Sequence, residues 1–200
     1  MLITLVRHGR TVANAGGLLQ GRVDNPLDDV GRRQARAAAA MVGPVDAVIT
    51  SPLVRAAETA AAFVSAEGVV SDDRWLELDY GEWDGRPVAD VPADTWSLWR
   101  QDLTFRPPGG ESLDELGRRI RGALDDLVAA PPGDHVVVVT HVSPIKAAVA
   151  WALGVGDEVG WRTYLDTGSI TRLRIEGRRS LTAFNVVPVV DATPEPEASA

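Results

Sequence analysis

The run His135-Val136-Val137-Val138-Val139-Thr140 constrains the fold more than any other stretch of this chain. Four successive valines leave no polar alternation, so the strand they favour has no face for water and belongs inside a sheet covered on both sides. Leu2 to Val6 reads the same way and stops abruptly at Arg7-His8-Gly9. Asp46 to Thr50 and residues 69–75 are further strand candidates, while Ile170 to Ile175 and Leu181 to Val186 alternate like a hairpin across Glu176-Gly177. Helical patterns lie between them. One spans Gly31 to Val42 and closes at Gly43-Pro44, a second starts at Ser51-Pro52 and runs to about Ala66, and a patch near 93–103 holds Trp96 and Trp99. Ser112 and Glu115 form a capping box for a helix to about Ala130, and Ser143-Pro144 starts another. Strands alternating with helices predict an α/β fold, a three-layer α/β/α sandwich around a mostly parallel sheet.

With 200 residues and 21.3 kDa, the chain has enough material for one core, expected over residues 1–187; residues 188–200 are a Pro-, Glu- and Ala-rich tail that carries no fold information. No apolar run approaches the roughly 18 residues of a membrane helix, and residues 1–7 lack a basic region with a cleavage site, so a cytoplasmic location without membrane contact is the expectation. Cysteine is absent, which removes disulfides, thiolate metal sites and cysteine nucleophiles. Lys146 is the single lysine against 19 arginines, and its surroundings are not glycine-rich, so a phosphate-binding lysine loop is excluded. The net charge of −8 argues against broad nucleic-acid binding while leaving room for a local positive pocket.

Ligands of parallel α/β sheets sit beyond the C-terminal strand ends, which is where the pattern places both His8 and His141. Arg7 beside His8 offers a fork that matches phosphate oxygens, and Gly9 lets a ligand or another backbone come close. Arg55, near a helix N-terminus, offers a second fork.

The chain resembles the histidine phosphatase superfamily, in its phosphoglycerate-mutase-like branch. The resemblance is carried by Arg7-His8-Gly9-Arg10-Thr11 with Asn14, by Gln20-Gly21-Arg22 through Leu27, and by Ser51-Pro52-Leu53-Val54-Arg55 through Thr59. Leu76-Glu77 through Gly81, Trp83 and Gly85, then Pro108-Gly109-Gly110-Glu111-Ser112 and Val139-Thr140-His141, complete it in order. It implies a phosphoglycerate-mutase-like fold and a phosphomonoesterase that needs no metal or other cofactor and acts on a small phosphorylated metabolite. His8 becomes the nucleophile and carries the phosphoryl group transiently. Arg7, Arg55 and His141 line the phosphate pocket, Asn14 bonds the phosphoryl group in transit, and Gln20 and Gly21 are further contacts. Glu77 is the proton donor to the leaving oxygen, a role that needs a neutral carboxylic acid, which burial or the nearby phosphate would favour; Glu82 and Asp79 are its competitors.

Two positions depart from the commoner pattern. Arg10 stands where the family usually has Glu or Gln and is expected to bring charge to the distal part of a doubly acidic substrate, and Val142 follows His141 where Gly is frequent. Trp99-Arg100-Gln101 lacks the paired arginines of the mutases, and Val88 replaces their lysine, which favours water as acceptor and hence a phosphatase. A phosphoglycerate-mutase-type phosphotransferase is the alternative, and a non-catalytic phospho-ligand-binding protein the third reading. His135 reads as a solvated loop residue, Arg118-Arg119 as a solvated helix face, and Trp96 with Trp99 as packing or, secondarily, an apolar wall over the leaving group. The substrate and the oligomeric state stay open, a homodimer being the assembly kept in view.

Overall fold

The computed structural model describes residues 1–64 and 68–190. Its strands are β1 (Leu2–Arg7), β2 (Ala47–Thr50), β3 (Val69–Ser71), β4 (His135–Thr140), β5 (Ile170–Glu176) and β6 (Arg178–Val186), joined in one sheet of order β3-β2-β4-β1-β5-β6, and its helices are α1 (Val12–Ala15), α2 (Asp29–Val42), α3 (Val54–Ala60), α4 (Ala93–Gln101), α5 (Leu113–Ala129) and α6 (Val142–Leu153). The valine-rich β4 lies between β1 and β2 and runs parallel to both, β3 extends the parallel set, and β5 and β6 add an antiparallel hairpin at the far edge. The sheet is mixed and mostly parallel.

Alternation along β4 divides the core in two. Val136 and Val138 join Ile3, Leu5 and the apolar faces of α5 (Leu113–Ala129) and α6 (Val142–Leu153). Val137 and Val139 join Val6, Val48 and the small residues Ala38, Ala56 and Ala60 from α2 (Asp29–Val42) and α3 (Val54–Ala60). All four valines are fully buried, each stabilising the fold by roughly 1.5–3 kcal/mol relative to exposure. Among the described residues no helix is long and apolar enough to cross a membrane.

Several local expectations change. α3 starts at Val54 and ends at Ala60, because Ser51 does not cap it: the amide of Val54 donates instead to Asp24 Oδ1 at 2.7 Å, supplied by a distant loop. The last part of the helix expected to reach Ala66, residues 65–66, lies outside the described residues, as do residues 191–200 of the tail. The third strand stops at Ser71, where Asp72 caps the short 3₁₀ turn Asp73–Trp75 by accepting from the amide of Arg74. His135 is the first residue of β4 and bonds Thr4 Oγ1 at 2.9 Å, so it is not a solvated loop residue. α6 begins one residue before Ser143.

The turn after β1 is fixed by close backbone packing. A Cβ on Gly9 would collide with the carbonyl of Gly31, and one on Gly31 with the carbonyl of Arg10. Gly9 thus serves the approach of another backbone, the first turn of α2. Replacing Gly31 by Ala should lower stability by about 1–3 kcal/mol, read as a fall in the urea midpoint; an unchanged midpoint contradicts this packing.

Candidate active site

The parallel register that pairs Arg7 with Thr140 brings the next residues of both strands together. The His8 amide donates to the carbonyl of Thr140 at 2.9 Å, and the two imidazole rings, His8 and His141, are 5.1 Å apart. Both are buried. His8 Nδ1 lies 2.7 Å from the carbonyl of Gly9; a carbonyl only accepts, so Nδ1 carries the ring hydrogen and Nε2 keeps its lone pair. His141 Nε2 pairs with Ser51 Oγ at 2.8 Å. When that hydroxyl donates, the hydrogen of His141 sits on Nδ1, which has no protein partner. Burial, reinforced by Arg55 and Arg7, pushes His8 well below the ordinary imidazole pKa, and burial with Arg55, His8 and Arg7 does the same to His141. Two neutral imidazoles therefore face one another.

Two guanidinium groups accompany them. Arg55 is fully buried and donates from Nη2 to the carbonyl of Gly21 at 2.7 Å and from Nη1 to that of Val23 at 2.9 Å. Arg7 donates from Nη1 to the carbonyl of Leu165 at 2.6 Å. Burial lowers the pKa of both, opposed most by the charge of Glu77, but an arginine keeps its proton in such a setting. Among the described residues, the buried nitrogens Arg7 Nε, Arg55 Nε, Gln20 Nε2 and His141 Nδ1 have no protein partner. Each unpaired buried donor costs about 1–3 kcal/mol, and an oxyanion is the ligand that satisfies several together.

Glu77 closes the group. Its carboxylate is 3% exposed and accepts from Val142 N (3.0 Å), from Ser143 N (3.2 and 3.4 Å) and from Leu78 N (2.7 Å). The sequence of α6 explains this docking. His141 at the N-cap makes no side-chain cap, and Pro144 has no N–H, so Val142 and Ser143 present the free donors of the first turn. Of the competing acids, Glu82 is exposed, and Asp79 is engaged by the amide of Gly81 at 2.8 Å.

The remaining expected residues fall into two groups. Asn14 accepts through Oδ1 from the amide of Thr11 at 3.1 Å, and Gln20 Oε1 accepts the single hydrogen of the Thr11 hydroxyl at 2.9 Å, so their amide nitrogens are the groups left for a ligand. Gly21 contributes its carbonyl to Arg55, and Val142 its amide to Glu77. Arg10 Nε is 2.7 Å from Asp28 Oδ2, the same residue whose other oxygen caps α2. Arg119 is corrected. It lies off the solvated face, donating to the carbonyls of Arg74 (2.6 Å) and Glu77 (3.1 Å) while making a two-pronged pair with Glu111 at 2.7 and 2.9 Å; Arg118 is exposed as expected.

Periodicity gave no sign of a further supporting residue. The carboxylate of Asp84 accepts from three successive amides, Gly21 (2.8 Å), Arg22 (2.6 Å) and Val23 (2.7 Å). Two of them, Gly21 and Val23, are the residues whose carbonyls hold Arg55. Among the described residues no three His, Asp or Glu side chains are grouped to hold a metal ion.

Paired imidazoles, two fixed guanidinium groups and a backbone-bound carboxylate lie together at the C-terminal edge of parallel strands in an α/β protein, a set of donors of the kind that suits an oxyanion. The chain belongs to the histidine phosphatase superfamily (branch 1), whose family model matches residues 3–186. It is 40% identical over 177 residues to a Mycobacterium tuberculosis protein named bifunctional protein Rv2228c, covering 84% of this chain and 49% of that one, so it spans about half of that relative's length. It is 36% identical to the probable phosphoglycerate mutase GpmB of Yersinia enterocolitica, over 86% of this chain and 83% of the other. The structure of a mycobacterial glucosyl-3-phosphoglycerate phosphatase complexed with VO3 superposes with a TM-score of 0.82 at 33% identity, covering 92% of this chain and 98% of that one.

Two outcomes follow from this geometry. Asp84→Asn puts an amide against backbone donors and releases the loop that holds Arg55, so affinity for inorganic phosphate should fall about tenfold or more, whereas Glu82→Gln should leave it unchanged; calorimetry showing equal affinity for Asp84→Asn contradicts the support. As pH falls through about 6.5, the unfolded chain takes up protons that the neutral native rings refuse, so acid favours unfolding and the stability present above that pH is lost below it. Each ring should contribute up to about 1.4 kcal/mol per pH unit, and His8→Gln should remove one share of the slope; urea midpoints with equal slopes would refute it.

Proposed function

We propose that this chain is a phosphomonoesterase that hydrolyses a small phosphorylated metabolite in two steps through a phosphohistidine at His8. The observation that carries this reading is the neutral, buried His8 with Nδ1 tied to the carbonyl of Gly9, which leaves Nε2 as a nucleophile among cationic groups. In the first step Nε2 attacks phosphorus and a P–N bond forms. The ester P–O bond breaks, and Glu77, having taken up a proton from solvent as the phosphoester binds, passes it to the departing oxygen. In the second step water attacks phosphorus, the Glu77 carboxylate takes the water's proton, and the P–N bond breaks to release phosphate and restore His8. Arg7, Arg55 and His141 hold the equatorial oxygens throughout, with Asn14 and Gln20 as further donors, so stabilisation comes from positioned charge.

The similarity to proteins named as phosphatases supports hydrolysis as the outcome. The similarity to a probable phosphoglycerate mutase favours the second reading, transfer back to an organic acceptor. Val88 and Trp99-Arg100-Gln101 in place of the mutase cations weigh for water. A phosphorylated metabolite as substrate implies a cytoplasmic site of action, and a homodimer remains the assembly to test.

Phosphate release from a panel of phosphorylated metabolites tests the proposal. His8→Ala should lower kcat by about 10³-fold or more, and Glu77→Gln should slow alkyl esters by about 10²–10⁴-fold. Since arginines supply the positive charge, chelator should not change the rate. Phosphoglycerate should yield free phosphate; conversion to its positional isomer would establish the mutase reading, and unchanged turnover in His8→Ala would end both.

A further inference from the structure

Beside Glu77 the chain holds a compartment of about 150 Å³ whose wall includes Val142 and Ser143, the residues whose amides bind the Glu77 carboxylate. Most of the wall is apolar and aromatic. Trp96 stacks on Trp99 at 5.4 Å and 9°, and Trp161 meets Trp99 edge-on at 5.7 Å, so the ring surfaces are fixed by one another. Into this setting α6 places Lys146, one turn beyond Val142.

Lys146 is the only lysine of the chain, and among the described residues no carboxylate lies within salt-bridge distance of it. The one acidic residue of the wall, Asp157, is bound through Oδ2 to Arg121 at 2.7 Å. Two further donors on wall residues, Trp99 Nε1 and Trp161 Nε1, are buried without a protein partner, as is Asp157 Oδ1. With Asp157 Oδ1 as the one unpaired acceptor against a cation and two indole N–H groups, the wall holds more free donors than acceptors, and an unpaired ammonium partly out of water is costly. Burial draws the pKa of Lys146 below its ordinary value, with Glu77 acting upward and Arg7 downward, so the ammonium feels the groups at the phosphoryl site.

We propose that this compartment receives the leaving-group half of the substrate, and that Lys146 selects phosphomonoesters whose alcohol carries a second acidic group, a carboxylate. This rests on the reading of His8 and Glu77 as the phosphoryl-transfer pair. It moves to Lys146 the role expected of Arg10, which is occupied by Asp28. The Trp faces would enclose the carbon skeleton and exclude water, and the carboxylate would accept from Lys146 and an indole N–H. With the alcohol lodged beside Glu77, its ester oxygen comes within reach of the proton donor.

The test uses pairs of esters that differ only by the carboxylate: 3-phosphoglycerate against glycerol 3-phosphate, and O-phosphoserine against O-phosphoethanolamine, with p-nitrophenyl phosphate as an aryl control. In the wild-type chain kcat/KM should favour the acidic member by about tenfold or more, the scale of one partly screened charge pair. Lys146→Met and Lys146→Gln should each bring that ratio to within about twofold, with the loss falling mainly in KM, as removal of uniform binding requires. Circular dichroism on both variants separates this loss from unfolding, and two differently shaped replacements guard against a single misfolded one. Turnover of the esters with a ratio near unity in the wild type, or a ratio that survives in both variants, overturns the subsite and leaves the phosphohistidine chemistry standing. Failure to turn over any ester, p-nitrophenyl phosphate included, overturns the phosphatase reading together with the subsite.

Discussion

The parallel pairing of β1 with β4 is the constraint on which the rest of the molecule depends. Its register sets Arg7 against Thr140, so both strands end at one level and deliver His8 and His141 side by side. The pairing is secured by residues with no chemistry of their own, the valines of β4 and the apolar face of β1, packed between α5 and α6 on one side and α2 and α3 on the other. A slip of one residue would exchange the two buried faces of β4, setting Val136 and Val138 against the small-residue side and Val137 and Val139 against α5 and α6, and would separate the rings. Stability of the sheet and geometry of the site are therefore one property.

Burial at that edge would be prohibitive for charge without partners, and the backbone supplies them. Carbonyls of Gly21 and Val23 hold Arg55, the carbonyl of Leu165 holds Arg7, and the free amides of α6 hold Glu77. A further layer fixes those backbone groups: Asp84 gathers the amides of residues 21–23, and Arg119, paired with Glu111, grips the carbonyl of Glu77 together with Arg22 Nε at 3.1 Å. Groups held this way need little reorganisation when a phosphoryl group arrives, which is how positioned dipoles and charges lower a barrier. The same burial keeps His8 neutral, so desolvation that opposes stability also maintains the lone pair.

Much of this was legible in the sequence, for physical reasons that differ from residue to residue. His8 and His141 stand where unbroken β-branched runs stop, and a strand end in a parallel sheet is a place that periodicity can find. β1, β2, β4 and β5, the capping box at Ser112 and Glu115, and the hairpin at Gly177 are local signals and appear within a residue of expectation, whereas β3 ends four residues early and β6 starts three residues early. Partners chosen by tertiary approach were not legible. Ser51 reads as a helix cap but pairs with His141, because Asp24 arrives from another loop to take the amide. Arg119 reads as a solvated residue but reaches back to the loop bearing Glu77. Asp84 gave no sign at all, since a carboxylate in a glycine-bounded loop has no periodicity to betray three amides more than sixty residues away.

The central claim is that phosphorus is bonded for part of each turnover to His8 Nε2. Mixing enzyme with a phosphorus-labelled ester, quenching in base and mapping the label by mass spectrometry and phosphorus NMR tests it directly, because a phosphorus–nitrogen bond survives base and is lost in acid. The label should reside on the peptide containing His8, at the nitrogen not bonded to the carbonyl of Gly9, and vanish on acidification. A chain that releases phosphate with no label on protein, or with label on His141 or a carboxylate, would contradict the account.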